Sequence, residues 1–314
     1  MKENKVDENF YYLMKYIKER NVEKMIIAIK QNFLYLKSYN LKKYQSITNY
    51  YNKYKLWGTI DLDNDDLVLI ERNAVSLVNY QKDFEWLYNS LSDYKSKIIL
   101  LNILTYWLMI DDQKINNLLD NTYSQYFDLD LIKINQNEVF VDVGAYTGDT
   151  VAKYINTFGK NNYKIIYCYE MVSDNIKYLN NTIKELDLSN VIIRDKAATN
   201  INDKGFISSE KISSVTQVIE EGDIEVKTVK IDDDIKGRVT FIKMDIEGGE
   251  LNALLGLKNK IKKYKPKLAI SVYHNNNHLW KIPKILSYLN PKYKFYLRYY
   301  GGALVPTEYI LYAV

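Results

Sequence analysis

Up to about Asp130, apolar residues follow the spacing of amphipathic helices. Two stretches place them at i, i+3, i+4 and i+7, namely 10–17 and 25–36, and this period buries one face of a helix. The same spacing predicts four further helices, over 67–80, 84–94, 97–110 and 113–121. Glycine is nearly absent from this part of the chain, so we predict an all-helical N-terminal domain over residues 1–122.

Beyond residue 134 the pattern changes to short β-rich runs separated by helical ones. The runs that predict strands are 139–143, 165–169, 191–194, 241–244, 268–272, 294–298 and 309–314. Strands that alternate with helices of this length imply crossover connections and a mostly parallel sheet. Gly301, Gly302 and Pro306 lie between the last two runs, which we therefore expect to pair antiparallel at the edge of the sheet.

Composition narrows the class of protein. Apolar residues make up 47 % of the chain and charged residues 26 %, which is the balance of a soluble globular protein and not of a disordered one. The net charge of +4 comes from lysines spread along the chain without a dense basic block, so nucleic acid is not the expected partner. The single cysteine, Cys168, excludes an intramolecular disulfide and a cysteine-based zinc cluster.

No segment predicts export or membrane insertion. Residues 1–9 are charged and lack the apolar core of a secretory signal. The longest apolar stretch, 98–110, is shorter than the ~18 residues that span a bilayer. We expect a cytoplasmic protein with no membrane span.

The most informative segment is a strand that runs into a glycine turn and then a helix. After the strand 139–143 come Gly144, Ala145, Tyr146, Thr147, Gly148 and Asp149. Doubly wound sheets bind ligands at such a first turn. A dinucleotide site needs a second glycine where the backbone approaches the pyrophosphate, and Tyr146 holds that place.

The charges at this turn favour a cationic ligand. Asp142 and Asp149 flank it, and a carboxylate at a helix N-terminus competes with phosphate for the same positive potential. S-adenosylmethionine carries an ammonium and a sulfonium and no phosphate, so these carboxylates and the backbone of 144–149 are predicted to bind it. The alternative is a tight strand-to-helix turn with a carboxylate cap.

Two further strand ends complete the predicted cofactor site. The second strand ends at Glu170 and Met171, where a carboxylate can accept hydrogen bonds from ribose hydroxyls. The third leads into Asp195 and Ala197, where small residues leave room for an adenine ring beside a polar group. A surface glutamate and simple strand-end packing are the respective alternatives.

The candidate catalytic residues follow the fourth and fifth strands. Asp245 and Glu247 stand at the carboxyl end of a central strand, one near the cofactor and one as a base, with helix capping by Glu247 or Glu250 as the alternative. The two histidines of the chain, His274 and His278, fall together in the next such loop, where their position favours general-base work, with a structural role as the alternative. Metal binding by this pair together with nearby carboxylates is a weaker alternative, because two histidines without defined companions carry little signal, and no metal is assigned.

The C-terminal part of the chain, over about residues 123–314, resembles the FkbM family of methyltransferases. The segments that carry the resemblance are 125–127, 141–149, 169–170, 241–248, 272–274, 279–283 and 296–299. The Lys-Met-Asp-Ile-Glu-Gly segment downstream of the glycine turn is the most specific of them in combination. Two departures are Thr147, where many relatives carry an aspartate, and 276–278, which replace a Pro-Glu-Asp-like run.

The resemblance implies an α/β fold with a Rossmann-like, seven-stranded, mostly parallel sheet and helices on both faces, preceded by the helical domain. It implies S-adenosylmethionine as cofactor and methyl transfer to a hydroxyl of a sugar, a glycan or a related small molecule. Methylation of an amine and a non-catalytic S-adenosylmethionine-binding module remain alternatives. A dinucleotide-dependent sugar enzyme is disfavoured by Tyr146 and Asp149.

In methyl transfer the protein mainly aligns the two reactants, and a positioned base contributes less. The candidate bases are, in order, Glu247, Asp245 and His274. For the helical domain, tyrosine-rich in composition, we hypothesise acceptor recognition or assembly of a homo-oligomer, since tyrosine supplies stacking surface with a hydrogen-bonding tip. Core packing accounts for these tyrosines equally well.

Overall fold

A computed structural model describes residues 4–208, 216–302 and 304–314. The contacts between residues divide the chain into two compact units, each of which is made of three separate segments of the sequence. The first unit comprises Met1–Asn121, Val272–Lys284 and Lys294–Leu311, and the second comprises Thr122–Ser271, Ile285–Tyr293 and Tyr312–Val314. The domain boundary at 122/123 and the assembly of a homo-oligomer stay predictions.

Helices form most of the first unit. They are α1 (Lys5–Lys18), α2 (Val22–Tyr39), α3 (Leu41–Tyr54), α4 (Val68–Asn79), α5 (Gln81–Ser90), α6 (Tyr94–Met109) and α7 (Gln113–Asn116). Asparagine or aspartate side chains at Asn4, Asn21, Asn40 and Asp93 accept backbone N–H groups at the starts of α1, α2, α3 and α6, which stabilises helix N-termini. The apolar positions that set the helical period are buried throughout α1, and in α2 they are buried at Met25, Ile29 and Phe33 and half-buried at Ile26 and Leu36.

The helix predicted over 113–121 is wrong beyond its first turn. The α7 helix ends at Asn116, and the chain then leaves the helical path. The Asp120 N–H donates to the Tyr299 carbonyl at 2.8 Å instead of to a carbonyl four residues earlier. A tertiary hydrogen bond therefore replaces the helical one, which no local pattern predicts.

The larger sheet has seven strands, which lie side by side in the order β3-β2-β1-β7-β8-β10-β9. Within the described residues, the strands are β1 (Val139–Val143), β2 (Ile165–Glu170), β3 (Val191–Asp195), β4 (Ala197–Ala198), β5 (Asp203–Ile207), β6 (Ile224–Val229), β7 (Phe241–Met244), β8 (Lys267–Ser271), β9 (Phe295–Gly301) and β10 (Thr307–Ala313). The β1 strand pairs in parallel with β2 and β7, as do β2 with β3 and β7 with β8. The predicted Rossmann-like α/β fold is confirmed.

The remaining helices alternate with these strands. They are α8 (Asp149–Phe158), α9 (Ser173–Glu185), α10 (Ile231–Asp234), α11 (Glu250–Leu255), α12 (Lys258–Tyr264) and α13 (His278–Leu289). Among the described residues, no helix is both long and apolar enough to cross a membrane.

Aromatic rings fill the core of the second unit beneath the central strands. Phe140 of β1 stacks on Phe241 of β7, with ring centroids 5.0 Å apart, and on Tyr154 of α8 at 4.8 Å. All three side chains are fully buried. Such rings bury large apolar areas, so this packing holds the first residues of β1 and β7 against the middle of α8.

A small three-stranded sheet in the order β4-β6-β5 was not predicted. The β6 strand pairs in parallel with β4 and antiparallel with β5. Ile224, Val226 and Thr228 alternate with charged residues along β6, which is the period-2 pattern of a half-buried strand. That signal was available, but β4 has only two residues and β5 carries a glycine, so neither partner was visible in the sequence.

The β9 strand contacts the first turn of α6, and both elements belong to the first unit. The Ser96 hydroxyl accepts the Leu297 N–H at 2.8 Å. Arg298 lies 2.8 Å from a carboxylate oxygen of Asp93, the residue that caps α6. One aspartate thus caps a helix and pairs with a strand about two hundred positions away in sequence.

Candidate active site

The glycine turn between β1 and α8 approaches the end of β7 so closely that only glycine fits. Gly144 has a φ of +81°, and a Cβ there would lie 1.9 Å from the Asp245 carbonyl oxygen. Gly148 has a φ of +88°, and a Cβ there would lie 2.9 Å from Leu179 Cδ1 and 3.1 Å from Thr182 Cβ, both on α9. Left-handed backbone favours glycine, and at Gly144 the lack of space adds a second, independent requirement.

Glu170 connects this turn to the end of β2. Its Oε2 accepts the Tyr146 N–H at 2.9 Å, and its Oε1 accepts the N–H groups of Met171 at 2.9 Å and Val172 at 2.8 Å. Burial raises the pKa of Glu170, although these hydrogen bonds oppose the shift. The contact of Glu170 with a ribose stays a prediction. In the structure its carboxylate joins the glycine turn to the residues that follow β2.

Asp142 and Lys243 form a buried ion pair across β1 and β7. Their side chains are 0 % and 3 % exposed, and Lys243 Nζ lies 3.0 Å from Asp142 Oδ1. The same ammonium donates to the Gly144 carbonyl at 2.7 Å. Burial raises the pKa of Asp142 to about 6, against the attraction of Lys243. Burial alone would lower the pKa of Lys243, but Asp142 and Asp245 raise it.

Asp245, at the end of β7, is held by a tyrosine that sequence reasoning did not select. The Tyr126 hydroxyl donates to Asp245 Oδ2 at 2.5 Å. Tyr126 is buried and has a φ of +72°, which is rare for a bulky residue. Lys243 Nζ also lies 5.3 Å from the centroid of the Tyr126 ring. Tyr126 and Lys243 are therefore additional members of the site, and a lysine inside a buried strand was the available signal for one of them.

Glu250 closes the turn that follows Asp245, and Glu247 in this turn has a left-handed backbone conformation. Glu250 is 0 % exposed, and its Oε1 accepts the N–H groups of Ile246 at 3.0 Å and Gly248 at 3.4 Å. Glu247 is half-buried with a φ of +56°, and its carbonyl accepts the Gln217 side-chain amide. Glu250 thus shapes the turn, while Glu247 keeps its carboxylate at the edge of the site.

Most of the other predicted cofactor residues lie in the glycine turn or at the end of β3, and Ala197 lies in the three-stranded sheet. Asp149 begins α8 and pairs with Lys153 at 3.1 Å on the surface. Asp195 ends β3 and stands opposite Glu170 in the parallel register. Ala197 is buried in β4, in the small sheet. Ala145 is buried beneath the turn, and the Thr147 carbonyl accepts the Thr182 hydroxyl at 2.8 Å.

Residues 142–300, about half of the chain, match the Methyltransferase FkbM domain family. The chain belongs to this family. S-adenosylmethionine is accordingly the cofactor of the domain. No curated protein matches the chain by sequence.

One solved structure shares the fold of this domain. The structure is similar to that of methyltransferase FkbM from Methylobacillus flagellatus KT, with a TM-score of 0.69 and 24 % identity over 85 % of this chain and 66 % of that one. The chain therefore spans just under two thirds of that relative. Weaker likenesses are to Aeropyrum pernix fibrillarin with natively bound S-adenosyl-L-methionine (TM-score 0.38, 11 % identity, 58 % and 69 % of the chains) and to an Aquifex aeolicus SAM-dependent methyltransferase (0.36, 16 %, 65 % and 97 %).

The residues of this FkbM domain fit S-adenosylmethionine. Asp142 Oδ2 is buried and accepts no hydrogen bond from any residue in the described part of the chain, and a buried acceptor without a donor is costly. Asp142 and Asp149 are each paired with a lysine, and Glu170 adds a further carboxylate, so the turn has a net negative charge that suits an ammonium and a sulfonium and opposes a pyrophosphate. The contacts of each residue with the cofactor stay predictions.

His274 falls in the first unit, unlike Asp245 and Glu247, which belong to the second. His274 and His278 are both buried, at 2 % and 3 % exposure. The assignment of His274 as a candidate base stays a prediction.

The raised pKa of Asp142 predicts a specific dependence of stability on pH. Because the pKa is about 6 in the folded domain and about 3.9 in an unfolded chain, protonation favours the folded state between these values. This stabilisation is present below about pH 4 and is lost as the pH rises through about 6. We expect the wild type to lose up to about 3 kcal/mol relative to Asp142→Asn between pH 4 and pH 8.

Urea denaturation of both proteins at the two pH values measures this difference. The variant keeps the shape of the side chain and removes its titration, so groups that do not interact with Asp142 contribute equally in both proteins. If the difference in free energy of unfolding between the wild type and Asp142→Asn does not change with pH, the assignment of the raised pKa to Asp142 is contradicted.

Proposed function

We propose that this FkbM domain transfers the methyl group of S-adenosylmethionine to a hydroxyl oxygen of a sugar, a glycan or a related small molecule. The observation that supports this best is the glycine turn with carboxylates on three sides, at the shared edge of β1, β2 and β7. Parallel sheets bind ligands at the carboxyl ends of their strands. The ionic character of the turn matches a sulfonium donor and not a nucleotide phosphate.

The residues of the site divide the work between binding and proton transfer. S-adenosylmethionine, when bound, supplies a methyl group activated by the positive sulfur. The turn 144–149 and the carboxylates of Asp142 and Glu170 bind and orient it. Glu247 accepts the proton of the acceptor hydroxyl as the new carbon–oxygen bond forms. Tyr126, through its hydrogen bond to Asp245, positions the second carboxylate of this edge.

Substitution of the proposed base tests its role. We expect Glu247→Gln to lower kcat by ~10²–10⁴-fold, because a positioned base contributes a factor of this size, while affinity for S-adenosylhomocysteine changes little. Glu185→Gln, at an exposed glutamate that ends α9, is the control and should leave kcat unchanged. Turnover of Glu247→Gln within a few-fold of wild type would mean that another group is the base.

The function itself is tested by incubating the protein with methyl-labelled S-adenosylmethionine and cell extract. Mass spectrometry of the labelled product identifies the methylated atom. Label on a sugar oxygen supports the proposal, and label on nitrogen would favour an amine acceptor. Binding of the donor without its consumption in any extract would indicate a non-catalytic binding module.

A further inference from the structure

The turns that lead into the central strands of the second unit carry exposed basic side chains. Because β1, β2, β7 and β8 run in parallel, they all begin at one edge of the sheet, opposite the edge that holds the glycine turn. We call this surface the basic edge. It consists of the exposed side chains of Lys133, Lys164, Lys236, Arg238, Lys262 and Lys263, which all belong to the second unit.

Hydrogen bonds bring three of these turns together where the strands begin. Lys267, the first residue of β8, donates through Nζ to the Lys133 carbonyl at 2.6 Å and pairs with Glu138 at 2.8 Å. The Lys164 N–H donates to the Glu138 carbonyl at 2.8 Å. The segments before β1, β2 and β8 are therefore neighbours in space, although they are far apart in the sequence.

The turn before β7 packs against α12, which supplies the rest of the basic edge. Residues 258–267 hold six lysines, so the lysines of the chain are less evenly spread than its overall charge indicates. One of them, Lys260, is buried and donates through Nζ to the carbonyls of Ile235 at 2.6 Å and Gly237 at 3.2 Å. Burial lowers the pKa of Lys260, and the nearby charge of Lys236 adds to this shift. The turn before β7 and α12 thus form one continuous surface.

Little of the positive charge of the basic edge is neutralised within the protein. Among the residues that the structure describes, none of its six side chains forms an ion pair. Glu138 is buried and is already paired with Lys267. Asp232 accepts the N–H groups of Asn259 and Lys260 at the start of α12. Fewer exposed carboxylates than cations are close to these turns in sequence, namely Asp130, Glu185, Asp187 and Asp233.

The two edges of the sheet carry opposite charge. The glycine turn and Glu170 form a net negative region at the carboxyl ends of the strands, whereas the basic edge lies at their amino ends. A strand of five residues, such as β1, separates the two edges by about 17 Å. A negatively charged surface therefore attracts the second unit by its basic edge and leaves the glycine turn on the side that faces away.

The type of side chain favours a fluid array of anions over a nucleic acid. Five of the six cations are lysines, which act as hydrated point charges, whereas arginine provides the fork that matches fixed phosphate geometry. The α12 helix has only seven residues, which is short for a helix that reads a major groove.

The aromatic rings beside these lysines do not form a stacking track for bases. Lys263 Nζ lies 5.2 Å from the centroid of the Tyr264 ring. Lys265 Nζ lies 5.3 Å from the centroid of the Tyr293 ring, and Tyr293 is buried. Proteins that bind single strands stack the bases on exposed aromatic rings. The headgroups of a lipid bilayer need no such rings, because they are held by charge alone.

We propose that the basic edge binds the anionic headgroups of a lipid bilayer. Each lysine or arginine near such a surface strengthens binding about fivefold, and the attraction falls off within about one Debye length. Several cations on one edge therefore give reversible, salt-sensitive binding, with the glycine turn facing the aqueous side. The inference concerns a surface of the second unit alone and does not depend on the proposed function.

Co-sedimentation of the full-length protein with lipid vesicles tests the proposal. The vesicles consist of phosphatidylcholine alone or of an equal mixture with phosphatidylglycerol, at about 0.1 M salt. We expect binding to the mixed vesicles only. We also expect a loss of affinity of at least about tenfold when two charges are removed, in Lys262→Gln with Lys263→Gln and, on the other turn, in Lys236→Gln with Arg238→Gln.

The matched control removes two charges elsewhere in the second unit. Lys177 of α9 and Lys227 of β6 are exposed and lie outside the basic edge, so Lys177→Gln with Lys227→Gln should bind within about twofold of wild type, because charges beyond a Debye length are screened. Calorimetric titration with S-adenosylhomocysteine should give the same affinity in every variant, which verifies that each one is folded.

Three results would overturn the assignment of the basic edge. The first is equal binding, or no binding, to the two kinds of vesicle by the wild type. The second is a loss in the control variant as large as that in both edge variants. The third is tighter binding to an RNA or DNA oligonucleotide than to the mixed vesicles at the same concentrations of salt and of phosphate groups, which would identify a nucleic acid as the partner.

Discussion

Replacing Gly144 with alanine is expected to weaken S-adenosylhomocysteine binding by at least about 100-fold, which corresponds to about 2.7 kcal/mol. The new Cβ would lie 1.9 Å from the Asp245 carbonyl oxygen, and both the left-handed φ and this contact oppose it. The turn or the end of β7 must therefore move. Isothermal titration calorimetry measures the affinity, and circular dichroism verifies that the variant is folded.

Gly237 provides a matched control for this result. It also has a positive φ, of +86°, but a Cβ there would meet nothing within 4 Å. Gly237→Ala therefore carries the backbone strain without the collision and should keep its affinity for S-adenosylhomocysteine. Equal losses in the two variants would show that strain, and not the close approach of the turn to β7, is responsible. Undiminished binding by Gly144→Ala would refute the proposed site.

Lys243→Met is expected to lower the free energy of unfolding at pH 8 by about 3–5 kcal/mol, because it leaves the buried Asp142 carboxylate without its partner. The substitution also removes the hydrogen bond to the Gly144 carbonyl. At pH 5 the loss should be smaller, since Asp142 without Lys243 binds a proton more readily. Urea denaturation at both pH values measures the effect.

The ion pair on the surface of the same turn is the control. Lys153 and Asp149 are 3.1 Å apart with side chains about half exposed, and Lys153→Met should cost no more than about 1 kcal/mol. The double variant Asp142→Asn, Lys243→Met should recover most of the lost stability, because no buried charge remains. If Lys243→Met costs no more than Lys153→Met, the buried pair does not support the turn.

Several parts of the fold followed from local patterns alone. The strands β1 and β7 were predicted at their observed bounds, because strands buried on both faces form continuous apolar runs between turn residues. The glycine turn was predicted from residue type and spacing. The short strands β4 and β5 were missed because too few residues carry a period, and α7 was predicted too long because the chain leaves the helix after Asn116 and Asp120 bonds to Tyr299 instead.

The candidate site shows the same division. Asp142, Glu170 and Asp245 were selected because they stand at strand ends, and the parallel register brings these ends to one edge. The sequence did not reveal that Asp142 pairs with Lys243, or that Tyr126 holds Asp245 from more than a hundred residues away. Partners so distant along the chain leave no local signal.

By itself, the sequence of this protein determined the type and order of most helices and strands, the glycine turn and the residues at the strand ends. These features depend on side-chain periodicity and backbone preference, which act between near neighbours in the chain. Only the tertiary structure decided the ion pair of Asp142, the partner of Asp245, the grouping of 272–284 and β9 with the first unit, and the meeting of the basic turns at one edge of the sheet. Each of these depends on contacts between distant segments, whose free energy exists only once the chain has folded.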